Sequence, residues 1–142
     1  MLSVRAALVA VPLAALLLAP LAAAAETPMT AAEFEAHVTG MTITYQQSGG
    51  IFGIEEYLPG RKVRWSVAPG ECKYGSWYPE AEALCFVYEY DPIPHCWTFW
   101  MQGGVMMARS AGVDPGADPG ADLAEADRSA SPLPCPGPDV GV

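Results

Sequence analysis

Residues 41–67, MTITYQQSGGIFGIEEYLPGRKVRWSV, decide the fold. Met41, Ile43 and Tyr45 alternate with Thr42 and Thr44, and Val63, Trp65 and Val67 face one way while Lys62, Arg64 and Ser66 face the other. A period of two sends successive side chains to opposite sides of a pleated backbone, so these runs are half-buried strands. Between them, Ser48-Gly49-Gly50 turns the chain into a strand from Ile51 to Tyr57. Leu58-Pro59-Gly60-Arg61 then places Pro and Gly at the two central positions of a type II turn.

The same grammar continues downstream. Pro69-Gly70 repeats the turn chemistry before a segment from Cys72 to Tyr78, and Leu84, Phe86 and Tyr88 share one face of a strand that starts at Ala83. Asp91-Pro92-Ile93-Pro94 interrupts the pairing, because its prolines lack the amide donor. His95 to Met101 sets Trp97 and Phe99 opposite Cys96, Thr98 and Trp100, and Gly103-Gly104 leads into a last strand from Val105 to Arg109. Short strands joined by tight turns, with no helix between them, predict a mainly β domain: an antiparallel meander that curls into a small barrel or half-barrel.

Upstream, Met29-Thr30-Ala31-Ala32-Glu33-Phe34 carries a helix start. Thr30 caps, Glu33 completes a capping box, and Met29 staples onto Phe34. A short helix from Ala31 to Thr39 follows, with Phe34 and Val38 on one face and Gly40 suited to end it; so short a helix needs a surface to dock on. Residues 1–25 read as a signal peptide: one charge at Arg5, an apolar run from Ala6 to Leu21, and Ala23, Ala24 and Ala25 before Glu26. Pro12 and Pro20 interrupt that run and no basic cluster follows it, which argues against a retained membrane span. The expected location is periplasmic or secreted, with no stable membrane anchor after cleavage.

Residues 26–110 thus hold the helix and the meander, residues 111–131 are expected to be disordered, and residues 132–142 form a tail. The middle segment turns abruptly to Asp, Pro, Gly, Ala and Ser, with the tandem Asp114-Pro115-Gly116-Ala117 and Asp118-Pro119-Gly120-Ala121. Its aspartates stand too far apart for a calcium loop, which alternates ligands more closely. Leu133-Pro134-Cys135 brings the tail back to the domain.

The four cysteines, Cys72, Cys85, Cys96 and Cys135, allow three pairings, and sequence alone does not choose among them. A hairpin turning about Tyr90-Asp91 sets Cys85 opposite Cys96 at bridging distance, which leaves Cys72 for Cys135; a turn about Pro92-Ile93 sets Glu89 opposite Cys96 instead. The first arrangement is the expectation. A zinc site of Cys72, Cys85, Cys96 and His95 is the competing use of the same residues, but the chain has no Cys-x-x-Cys spacing and zinc thiolates suit reducing compartments.

A formal net charge of -9 argues against nucleic-acid binding, since Arg61, Lys62 and Arg64 are the only local basic cluster. His37 and His95 read as structural, and Ser48 lies in no nucleophile-elbow pattern. Glu55 and Glu56 are adjacent on a strand and point to opposite faces, so they cannot converge on one substrate; Glu80 and Glu82 flank a turn. No catalytic residue, metal or cofactor is expected. Trp77, Trp97 and Trp100 form the candidate binding face, because the aromatic content is high for so small a domain. Trp97 and Trp100 differ by an odd number of positions and so point to opposite sides of one strand.

The run Gly75-Ser76-Trp77-Tyr78, then Leu84-Cys85-Phe86-Val87-Tyr88-Glu89, then His95-Cys96-Trp97-Thr98-Phe99, resembles a group of small exported alphaproteobacterial proteins without an assigned activity. The resemblance covers residues 70 to 110. It implies export, a sheet, and a pair made by the two cysteines at the positions of Cys85 and Cys96; it implies no chemistry. The functional expectation is a non-enzymatic binding or envelope-interaction module for an unknown protein or small-molecule ligand. The alternative is an inhibitor or immunity-type protein that blocks an enzyme.

Overall fold

In the computed structural model, which describes residues 26–112 and 120–136, eight strands follow one another around a closed antiparallel barrel. They are β1 (Thr42–Gln47), β2 (Gly50–Leu58), β3 (Lys62–Ser66), β4 (Lys73–Glu80), β5 (Ala83–Tyr88), β6 (Asp91–Gln102), β7 (Val105–Ser110) and β8 (Leu123–Ser129). Each pairs with the next, and β1 pairs with β8 to remove both edges. The expected signal segment, the final six residues and residues 113–119, which hold most of the tandem repeat, lie outside the described residues.

Among the described residues one helix, α1 (Ala31–Val38), precedes the barrel, and the capping box forms as its sequence predicts: the Glu33 amide donates to Thr30 Oγ1 while Glu33 Oε2 accepts from the Thr30 amide at 2.7 Å. Gly40 follows with φ 81°, the left-handed conformation that glycine takes without a Cβ clash. The helix closes one end of the barrel. Phe34 is fully buried there, edge-on to Tyr57 at 5.6 Å and to Trp77 at 5.1 Å, and tilted against Phe99 at 4.5 Å. Val38 is buried beside it, and His37 reaches β8, with Nε2 2.9 Å from Glu125 Oε2.

Three expectations change. The segment 111–131 is not disordered throughout, because Leu123–Ser129 is the strand that closes the barrel, aligned with β1 from Thr42↔Ser129 to Gln46↔Ala124. Its only large apolar residue is Leu123; backbone ladders hold the rest, whatever the side chains. Second, β6 begins at Asp91 and runs through both prolines: Tyr88 pairs with Asp91 and Phe86 with His95, so residues 92–94 form an irregularity with no ladder partner. Proline is tolerated in such a bulge because no amide is required of it. Third, Trp77, Trp97 and Trp100 are all buried and do not form one face: the first two point into the barrel, and Trp100 lies on its outer side under the Arg109 guanidinium, 5.0 Å from the ring centroid.

Both expected cysteine pairs form, although the β5–β6 hairpin turns at Glu89-Tyr90, one position earlier than expected, and the bulge at residues 92–94 restores the register that sets Cys85 opposite Cys96. Cys85–Cys96 staples β5 to β6, and Cys72–Cys135 joins the start of β4 to the tail. The tail crosses the outside of β1, β2 and β3 on the way: Thr42 Oγ1 donates to the Ser131 carbonyl at 2.7 Å, and the Leu133 amide donates to Glu56 Oε2 at 2.9 Å. Under this strap Glu56 also pairs with Arg64 at 2.6 Å. The bridges are consistent with an oxidising extracytoplasmic environment. All four sulfurs are bound in them, so the thiolate set for zinc is not assembled.

Candidate functional site: the barrel cavity

The inward row of each strand is set by the pleat. Tyr45, Glu55, Tyr57, Trp65, Phe86, Tyr88, Trp97 and Phe99 therefore converge on one axis, around a cavity of about 370 Å³. Phe34 and its aromatic partners fill the end beneath α1. At the other end Val67, Lys73 and Asp91 lie on the lining, and Val67 is 64% exposed, so among the described residues the cavity opens there. The hairpin turn of β1–β2, the β3–β4 connection and the turn of β5–β6 rim that opening.

Two local devices shape the wall. Gly53 faces the Trp65 indole so closely that a Cβ would stand 2.2 Å from the ring, so glycine is what lets Trp65 lie against β2. Next to it, Tyr45 pairs with Gly53 but Gln46 pairs with Ile51, which leaves Phe52 as the extra residue of a β-bulge. The bulge lets Phe52 join the lining, with its ring 5.7 Å from Trp65 and 5.7 Å from Trp97.

The polar groups inside are few. Tyr45 and Tyr57 share a hydroxyl–hydroxyl hydrogen bond of 2.8 Å, and burial pushes both phenols up from their ordinary values. Tyr88 donates to both Glu55 carboxylate oxygens, at 3.2 and 3.1 Å. Glu55 is 2% exposed, and burial pushes its carboxyl well above the usual carboxylate range, with the Tyr88 hydroxyl opposing part of the shift. At the mouth His95 Nε2 lies 2.8 Å from Asp91 Oδ2; this bond and the Ile93 amide hold the Asp91 carboxyl below its ordinary value.

Glu55 and Glu56 take opposite faces, one in the cavity and one under the strap, as their adjacency requires. Glu80 lies on the outside at the Cys85–Cys96 bridge, its Oε2 3.4 Å from Cys85 Sγ, and Glu82 is exposed in the β4–β5 turn. Of the proposed binding tryptophans, Trp97 alone lines the cavity. Trp77 instead packs on Phe34 from within and takes the Arg61 guanidinium 4.7 Å from its ring centroid. Trp65, Phe52 and Tyr88 join the lining although the sequence pattern does not single them out as site residues. The clean alternation around Trp65 and Tyr88 was the available signal, whereas the bulge at Phe52 leaves none.

The sign of the Glu55 shift gives a stability test. Above pH 4.5, and up to the raised folded pKa, the unfolded chain loses this proton while the folded protein retains it, so unfolding releases a proton and rising pH favours it. Between that value and the raised folded pKa, the Glu55 contribution falls by about 1.4 kcal/mol per pH unit. The Glu55→Gln variant, neutral at every pH, should lack this slope in urea unfolding followed in steps upward from pH 4.5. Parallel pH profiles for the two proteins would show the carboxyl to be ionised in the fold.

These features define a closed eight-stranded β-barrel with an aromatic internal cavity and a buried carboxyl group. Comparison with protein families, curated proteins and solved structures finds no match to this chain.

Proposed function

We propose that the protein is an exported, non-enzymatic barrel that binds one small apolar or amphipathic molecule in its cavity. The observation that carries this reading is the aromatic-lined space of about 370 Å³, closed by α1 at one end and, among the described residues, open at the other. Barrels of eight strands enclose room for one small ligand, and pockets that bind such ligands are mostly apolar with a few placed polar groups. The export pattern of residues 1–25 and the two disulfides support a periplasmic or secreted setting.

The test is titration of the protein with a neutral fluorescent probe, N-phenyl-1-naphthylamine, followed through the probe and through the emission of Trp65 and Trp97. Saturable enhancement at one probe per chain, with a matching change in tryptophan emission, is the expected result. A linear, non-saturating response counts against a ligand cavity. Substrate turnover that disappears in Glu55→Gln would overturn the non-enzymatic part.

Exposed apolar side chains near the opening, Ile51, Ile93 and the fully exposed Tyr90, favour a second reading. In it the rim docks an enzyme and the protein acts as an inhibitor or immunity-type partner. Recovery of one stoichiometric enzyme from an envelope extract, with loss of that enzyme's activity, would select it.

A further inference from the structure

Glu55 is an acid placed where an apolar side chain would pack at no desolvation cost. Burial of a carboxyl group without a charged partner is expensive, and among the described residues no lysine or arginine forms an ion pair with it. Directly across the ladder stands Trp65, whose ring joins Phe52 and, through Phe52, Trp97. Aromatic faces carry the negative end of the ring quadrupole and attract cations, more strongly when water is excluded. Three such rings beside one carboxyl group favour positive charge in the cavity and disfavour an anion. The formal net charge of -9 adds a field that draws cations towards the protein.

We propose that the cavity binds a small organic cation, a primary or secondary ammonium on an apolar body, with the ammonium on Glu55 and the carbon skeleton against Phe52, Trp65 and Trp97. This assignment rests on the binding reading above and names its ligand class. In the empty barrel burial favours the neutral acid. When the ammonium arrives, the Glu55 O–H bond breaks, the proton goes to solvent, and the resulting carboxylate accepts an N–H hydrogen bond from the ligand. The ligand thus replaces the proton. One proton leaves per cation bound, and affinity rises about tenfold per pH unit while Glu55 is protonated in the empty protein and the ligand remains charged.

Other titratable groups face the same space: Tyr45 from β1, Tyr57 from β2, Lys73 from β4, Tyr88 from β5, and Asp91 and His95 from β6. Glu125 of β8 is held by His37, and β3 and β7 turn only uncharged side chains inward. An imidazole titrates close to the working pH range, so His95 is the group to separate from Glu55.

The experiment is isothermal titration calorimetry of 2-phenylethylammonium, 2-phenylethanol and 2-phenylacetate against the full exported chain, at pH 5.5 to 8 and in two buffers of different ionisation heat. Expected are a preference for the ammonium over the alcohol of about tenfold or more, release of one proton with the ammonium only, and loss of both in Glu55→Gln. The proton count is read on the unaltered protein, so it stands even if that variant folds poorly. Equal binding of ammonium and alcohol, or a pH slope that survives in Glu55→Gln and vanishes in His95→Gln, overturns the cation assignment and leaves the cavity reading intact. Failure of all three probes, together with N-phenyl-1-naphthylamine, overturns both.

Discussion

The Phe34→Ala variant should be less stable than the parent protein by about 4 kcal/mol, the range for an aromatic side chain removed from a packed core. Phe34 is fully buried and meets Tyr57, Trp77, Phe86 and Phe99, which come from β2, β4, β5 and β6. Those rings belong to strands held by separate ladders, so they cannot collapse together into the vacated space, and the cavity term adds to the lost transfer energy. The helix suffers as well. At eight residues α1 is too short to persist alone, and Phe34 and Val38 are its buried anchors. Urea unfolding of both proteins at one pH measures the difference; a change below about 1 kcal/mol would mean that α1 is not an integral cap.

The second large effect belongs to the strap. Replacing Cys72 and Cys135 together by serine opens a loop with a sequence separation of 63, for which chain entropy alone predicts a loss of about 4 kcal/mol. Removing the staple between Cys85 and Cys96, with a separation of 11, should cost less, about 3 kcal/mol. The strap variant carries a second consequence. Without the bridge the Leu133 amide is free to leave Glu56, and the Glu56–Arg64 pair gains water. Hydrogen exchange in β1 to β3 should therefore quicken in the Cys72→Ser/Cys135→Ser protein and stay slow in β5 and β6. Equal exchange in all strands would show that the tail adds no local protection.

Much of this architecture was legible because it rests on side-chain parity. Alternation around Val63 and Trp65 and the opposite placement of Glu55 and Glu56 follow from a period of two, whereas Cys85 and Cys96 face each other only after the bulge at residues 92–94 corrects the register of the turn. The helix cap was legible for a similar reason, since Thr30 and Glu33 interact over three residues of local chain. What escaped depends on backbone. Strand β8 has little apolar pattern because closure is achieved by amides and carbonyls, and Ala- and Asp-rich composition hides it. The bulge that admits Phe52, and the one that carries Pro92 and Pro94, are set by ladder geometry between strands and leave no mark in residue type. Trp100 was read correctly as facing away from Trp97; its cover by Arg109, which Glu26 and Asp122 hold, joins segments far apart in sequence.

Closure through β8 also sets a timetable. The strand that seals the barrel is the last to be made, so a chain that ends before Leu123 carries at most seven strands, with bare edges on β1 and β7. Such an intermediate has a trough instead of a chamber, and its aromatic lining faces the surroundings until residue 129 arrives to complete the ladder with Thr42. An enclosed cavity therefore requires the chain through Ser129, and termination before Leu123 yields a sticky open sheet in place of a smaller barrel.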